Sequence, residues 1–253
     1  MSDIADYYDL SRIRPEVQVV LRKVNELGPK FAARAKAVDD DASFPVDNYR
    51  DLGDEGFLGL TIPQEFGGMG FTMGEYAMVG AELGKFCGAT ALTFNMHNSS
   101  MAWSRFMFEM PNLTPEEKAE FAPLRERQFR RAMAERAIYS QPISEGGQNW
   151  TSKPNQTRCR AVDGGWQIDG FKKFASLAGY CDYYTIVCTE IFDGVAPRHE
   201  DTMIFVVHKD APGLEVKGDW DPLGMRVPHR RSRAPRHRHA DGRLLRSHRP
   251  SLR

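Results

Sequence analysis

Two short stretches of this 253-residue chain bring together the side chains that a planar ligand needs. The first is Ile143-Ser144-Glu145-Gly146-Gly147 and the second runs Lys172-Lys173-Phe174-Ala175-Ser176-Leu177-Ala178-Gly179. Both mix hydroxyls with small residues, and the second adds an aromatic ring. Such a mixture lets a flat ring lie close to the main chain while hydroxyls and backbone groups hydrogen-bond its edge. Glu145 reads as a structural or ligand-side carboxylate, and no Asp or Glu of the chain stands out as a general base. The four cysteines, Cys87, Cys159, Cys181 and Cys188, form no CxxC pair, so they read as buried free thiols and no metal site is expected. His97 and Asn98 lie in an apolar helical stretch, where a lone histidine is read as a hydrogen-bonded core residue without a catalytic role.

The elements that must hold these stretches change character along the chain. Before residue 138 the pattern is helical. Val17, Val20, Leu21, Val24 and Leu27 recur at helical spacing after Pro15, and Gly28-Pro29 predicts an interruption before a second helical piece ending near Val38. Phe44-Pro45 opens a short helix through Leu52, and a glycine-rich loop follows from Ile62 to Gly70. Thr72-Met73-Gly74-Glu75 and Thr114-Pro115-Glu116-Glu117 are capping boxes that predict helix starts, with a kink or break near Pro123 in the second helix. Between them, Leu92, Met96, Ser99, Trp103, Phe106 and Met110 form a stripe on a helix from Gly88 to Met110, read first as plain core. After residue 138 the chain turns strand-like: Arg158–Val162 and Trp166–Phe171 flank Asp163-Gly164-Gly165 as a hairpin, and Tyr183–Ile191 and Thr202–His208 are further strands.

On three linked motifs the chain resembles the acyl-CoA dehydrogenase family. Ile143-Ser144-Glu145 is similar to the family's Leu-Thr-Glu flavin-contacting triplet. Gly170 to Ser176 is similar to its G-x-K-x-aromatic-Ile-Thr/Ser stretch, and Ile62 to Gly70 to its Ile-Pro-x-x-Phe/Tyr-Gly-Gly-x-Gly loop. Pro212-Gly213-Leu214 and Leu223-Gly224-Met225-Arg226 extend the likeness, while Gly146 to Thr151 departs from the family's Pro-x-Ala-Gly-Ser-Asp. The resemblance implies an α+β fold: a helical domain over 1–137, a truncated β-barrel middle domain over 138–226, and a disordered basic tail over 227–253. It implies FAD held by Ile143, Ser144, Glu145, Phe174, Ala175 and Ser176, with Ser176 near flavin N5 and O4 and Ser144 on the pyrimidine side. It further implies α,β-dehydrogenation of an acyl-CoA to an enoyl-CoA, with electrons passed to a separate electron-transfer acceptor; a flavin monooxygenase on the same scaffold is the alternative. The family's catalytic glutamate lies in a C-terminal bundle outside the matching residues, so this chain is expected to be inactive. Intact family members are homo-oligomers and this chain is expected not to be. The helix carrying the 92–110 stripe lies beside the acyl cavity in the family.

Composition narrows the class. With 41% hydrophobic and 11% aromatic residues the chain has material for a core. It has no apolar run long enough to span a membrane and its acidic start is unlike a signal peptide, so a soluble, cytoplasmic protein is expected. The zero net charge hides an asymmetry, because nine arginines and a single acid, Asp241, follow Arg226 among the 34 basic and 34 acidic residues. Val227–Arg253 holds no Lys, Glu, Ile or aromatic residue and is expected to build no strand or packed helix. It is read as a frameshifted translation of a GC-rich gene, against a competing reading as a basic arm for nucleic acid.

Overall fold

A computed structural model describes residues 4–110, 113–146 and 152–217, together with the backbone of 230–234 and 243–246. The calls on Gly147 to Thr151 and on Asp221 to Arg226 lie outside the described residues. Five α-helices come first: α1 (Pro15–Asp40), α2 (Val46–Asp54), α3 (Met73–Gly84), α4 (Gly88–Glu109) and α5 (Pro115–Ala134). Both capping boxes form, with Thr72 and Thr114 each accepting from the third helical N–H while Glu75 and Glu117 reach back to the cap.

The interruption expected at Gly28-Pro29 is absent, since α1 runs through both. Proline there removes one helical hydrogen bond. The apolar face continues on either side of it, with Val17, Leu21, Val24 and Phe31 fully buried, so packing outweighs that loss. Gly28 serves a contact: a Cβ at this position would sit 2.5 Å from the Phe86 ring. Likewise α5 continues through Pro123 without a break.

The stripe on α4 is corrected in part: Met96 packs against the core, but other members face outward. Leu92 and Phe106 are 38% exposed and Met110 47%, whereas the opposite face, with Thr90, Phe94, His97, Asn98 and Met101, is buried. The inward face tolerates polar residues where they find partners: Asn48 Nδ2 donates to Thr90 Oγ1 (2.8 Å), and Asn98 Nδ2 to the Phe94 carbonyl of its own helix (3.3 Å).

The second half is a sheet. Its strands are β1 (Tyr139–Ser140), β2 (Arg158–Val162), β3 (Gly165–Ala175), β4 (Tyr183–Glu190), β5 (Thr202–His208), β6 (Glu215–Lys217), β7 (Arg230–Ala234) and β8 (Arg243–Arg246). They follow the order β6-β7-β3-β2-β4-β5-β8, with β1 parallel to β4. The predicted hairpin is β2–β3, in which Val162 pairs with Gly165 and Gly164 takes the positive φ of 76° that its turn requires. β4 is buried along its whole length. One core joins the two halves, packing Val17, Phe31, Leu83 and Phe94 with Ile168, Ala175, Leu177 and Phe205.

The tail departs from expectation. Residues 230–234 pair antiparallel with both β3 and β6, and 243–246 pair with β5. Strand pairing is a main-chain interaction, and the edges of β3 and β5 offer N–H and C=O groups that a neighbouring segment satisfies whatever its side chains.

Candidate functional site

β1 delivers the chain from the helical half into the segment 141–146, which then runs beside the end of β3. The Lys173 N–H donates to the Ser144 carbonyl (2.9 Å), so the two stretches picked out in the sequence are neighbours in space. Beneath this backbone contact lies a buried ion pair. Lys172 Nζ is 2.6 Å from Glu145 Oε1, and the two side chains are only 1% and 4% exposed. Lys172 also donates to the Ile143 carbonyl at 3.1 Å. The Glu145 carboxylate accepts in addition from the backbone N–H groups of Gln156 and Thr157. Burial works against its ionisation, yet the hydrogen bonds from Lys172 and Thr157 prevail and hold the carboxyl below its ordinary range. Burial pulls the Lys172 ammonium down despite the partner. Glu145 is thus committed to binding its own chain.

The six residues expected around a planar ligand divide by exposure. Ser144 and the Phe174 ring are exposed, Phe174 by 55%, while Ile143 and Glu145 are partly covered. The register of β3 against β7 shifts between Lys172 and Ala175, and such an irregularity re-aims side chains at a strand end. The Ala175 side chain is wholly buried in the common core, which leaves only its backbone for any ligand. Ser176 is 9% exposed, and its carbonyl accepts from Ser140 Oγ, which ties the end of β3 to β1. An exposed aromatic ring beside exposed hydroxyl and main-chain groups fits one face and edge of a flat heterocycle.

His97 sits under β1. Its Nδ1 accepts from the Tyr139 N–H (3.1 Å), so Nε2 carries the proton donated to the Leu58 carbonyl at 2.9 Å. Burial lowers its pKa to about 4, which keeps the ring neutral. The core reading of this histidine is what the geometry gives.

A second feature was only touched by the sequence reading, through Trp103 of the α4 stripe. Between α4, α5 and the sheet lies a narrow cavity lined by Trp103, Phe108, Arg125, Gln141, Thr185 and Ile204, among others. These residues come from five separate elements or connections, so no spacing rule connects them. Arg125 in particular reads as one more charge in the Arg125–Arg131 run of α5.

Comparison with known proteins follows the same division of the chain. Residues 15–109 match the acyl-CoA dehydrogenase N-terminal domain and residues 143–232 its middle domain. The chain belongs to the acyl-CoA dehydrogenase family. The match extends past Arg226, where the resemblance was expected to stop. The L-evernosamine nitrososynthase of a Micromonospora species is 31% identical over 207 residues, 79% of this chain and 44% of that protein. The benzylmalonyl-CoA dehydrogenase of Aromatoleum aromaticum is 24% identical over 218 residues, 86% of this chain and 53% of that protein. Among solved structures, KijD3 in complex with FMN and a dTDP-amino-keto sugar superposes with a TM-score of 0.72 at 25% identity, covering 88% of this chain and 51% of that one. The chain therefore spans about half the length of the relatives it matches.

Proposed function

We propose that this chain is a flavin-dependent oxidoreductase whose isoalloxazine ring lies against residues 143–145 and 174–176. The observation that carries this reading is the pairing of those two stretches through Lys173 N–H and the Ser144 carbonyl, with Phe174 and Ser144 exposed beside it. Bound flavin supplies the two-electron acceptor that no side chain provides. The protein's residues supply position: Ser144 and Ser176 donate hydrogen bonds to ring heteroatoms, the backbone of Ala175 lines one edge, and Phe174 covers the ring from water. Glu145 and Lys172 fix the 143–145 segment on β3 and move no proton.

For the reaction we infer the family's α,β-dehydrogenation of an acyl-CoA thioester with FAD, the electrons leaving to a separate acceptor; no carboxylate of the described residues is assigned the α proton, so this chain on its own is expected to be inactive. A second reading, oxygen-dependent monooxygenation of a small polar substrate, is supported by the likeness to a nitrososynthase and to FMN-bound KijD3. Equilibrium titration with FAD and with FMN tests the shared premise. Ser144→Ala and Ser176→Ala should each weaken flavin binding several-fold, since one lost hydrogen bond is worth about 0.5 to 1.5 kcal/mol. An unchanged dissociation constant in both variants removes these residues from the site. Reduction of a dye driven by acyl-CoA supports the first reaction, and substrate-dependent oxygen uptake with reduced flavin supports the second.

A further inference from the structure

The cavity between α4, α5 and the sheet is built differently from a fatty-chain pocket. Half of its lining is apolar, with Trp103, Phe108 and Ile204 among it, and three buried polar atoms beside it have no hydrogen-bond partner among the described residues: Arg125 Nε, Gln141 Nε2 and Thr185 Oγ1. Gln141 is 7% exposed and Thr185 5%. Orphaned buried donors are destabilising, and native proteins keep few of them without a reason. All three can donate, and two have no acceptor role at these atoms. The guanidinium of Arg125 is also held in place, its Cζ 3.6 Å from the Phe108 ring centroid. That stacking presents a planar cation without the entropy of a free side chain. Burial lowers the Arg125 pKa from its usual value, a sign of the same dry setting.

What three donors and aromatic walls lack is an oxygen acceptor on a flat apolar body. The cavity is narrow: about 400 Å³ lies unfilled, open solvent at its mouth included, and a water molecule fits in only a small part of it. It thus takes one small acceptor group at a time, with the attached ring against Trp103 and Phe108. We propose that this cavity recognises the carboxylate or carbonyl oxygen of a small aromatic acid, which makes aromatic acyl groups, rather than long straight chains, the substrate class. The proposal rests on the oxidoreductase reading for its catalytic meaning, though the binding itself does not need flavin.

The test is a saturation-transfer NMR titration of the full 253-residue chain with sodium benzoate and with benzyl alcohol, each run without flavin and again with FMN. Benzoate is expected to bind measurably and benzyl alcohol at least about tenfold more weakly, because hydrogen bonds to a charged acceptor are worth about 1.5 to 3 kcal/mol. Thr185→Val, which keeps shape and removes an orphaned hydroxyl, should retain the fold and the unfolding temperature while weakening benzoate about tenfold. Arg125→Met should do so by at least as much. Benzoate binding no tighter than benzyl alcohol, no binding at all, or equal affinity in both variants overturns the proposal and leaves an ordered water as the occupant, for which the space suffices. Benzoate binding that persists where FMN fails to bind supports the pocket and sinks the flavin reading; FMN binding without benzoate binding does the reverse.

Discussion

Replacing Lys172 by Met should be among the most damaging single substitutions in the sheet half. The ammonium and the Glu145 carboxylate are 2.6 Å apart and 1% and 4% exposed, so water cannot take over when one partner is lost. Breaking a buried pair from one side leaves an uncompensated charge and typically destabilises by about 3 to 5 kcal/mol. Against a folding free energy of about 5 to 15 kcal/mol that is a large share. Lys172→Met combined with Glu145→Gln should recover most of it. The neutral amide oxygen still accepts from the Thr157 N–H, which Glu145 meets at 2.8 Å, and no charge remains buried. The assay is urea unfolding followed by circular dichroism for the wild type, both singles and the double, closing a cycle. The expected coupling energy is about 2 to 3 kcal/mol. A Lys172→Met loss below about 1 kcal/mol, or a double equal to the sum of the singles, would refute the reasoning. Acid gives an independent readout. Because the folded carboxyl of Glu145 is depressed, its contribution is present above the unfolded carboxylate pKa of about 4.3 and is lost as pH falls through the folded value.

His97 titrates near 6.5 unfolded and about 4 folded. The unfolded chain therefore binds the extra proton between these values, and stability should fall by about 3 kcal/mol as pH drops from 7 to 4; His97→Gln should flatten that slope in pH-dependent unfolding. Gly28→Ala should lower stability by about 1 to 3 kcal/mol, because its Cβ would meet the Phe86 ring, and Gly28→Ala with Phe86→Leu should recover part of it. On α4, Phe94→Ala should cost about 3 to 5 kcal/mol, while Phe106→Ala on the outward face should stay within about 1 kcal/mol; equal losses would contradict the orientation of that helix.

Local signals were legible and long-range ones were not. The two capping boxes and the Asp163-Gly164 turn are written within four residues each, and all three formed. Gly28-Pro29 misled because the signal for a break is local, whereas the packing of Phe31 and of Gly28 against Phe86 is tertiary. The α4 stripe misled for a related reason. Hydropathy counts Thr90, His97 and Asn98 as outward residues, yet all are buried; Thr90 and His97 find partners elsewhere in Asn48, Leu58 and Tyr139, and Asn98 donates to the Phe94 carbonyl of its own helix. The pair of stretches at 143–145 and 172–176 could be picked out by residue type, but their adjacency depends on the route of β1 and β3. Lys172 as the partner of Glu145, and the Arg125, Gln141 and Thr185 cavity, carry no sequence pattern at all. The tail's composition argued against strands, while backbone pairing to β3 and β5 needs no particular side chain.

Hydrogen–deuterium exchange with and without a large excess of FMN or FAD tests the central claim most directly, because it reports where a flavin lies even when it binds weakly. Slowed exchange is predicted in peptides covering residues 143–146 and 172–176, with the β2–β3 turn at Asp163-Gly164 unchanged. Protection confined to other parts of the chain, or no protection at flavin concentrations that saturate a binding signal, would contradict it.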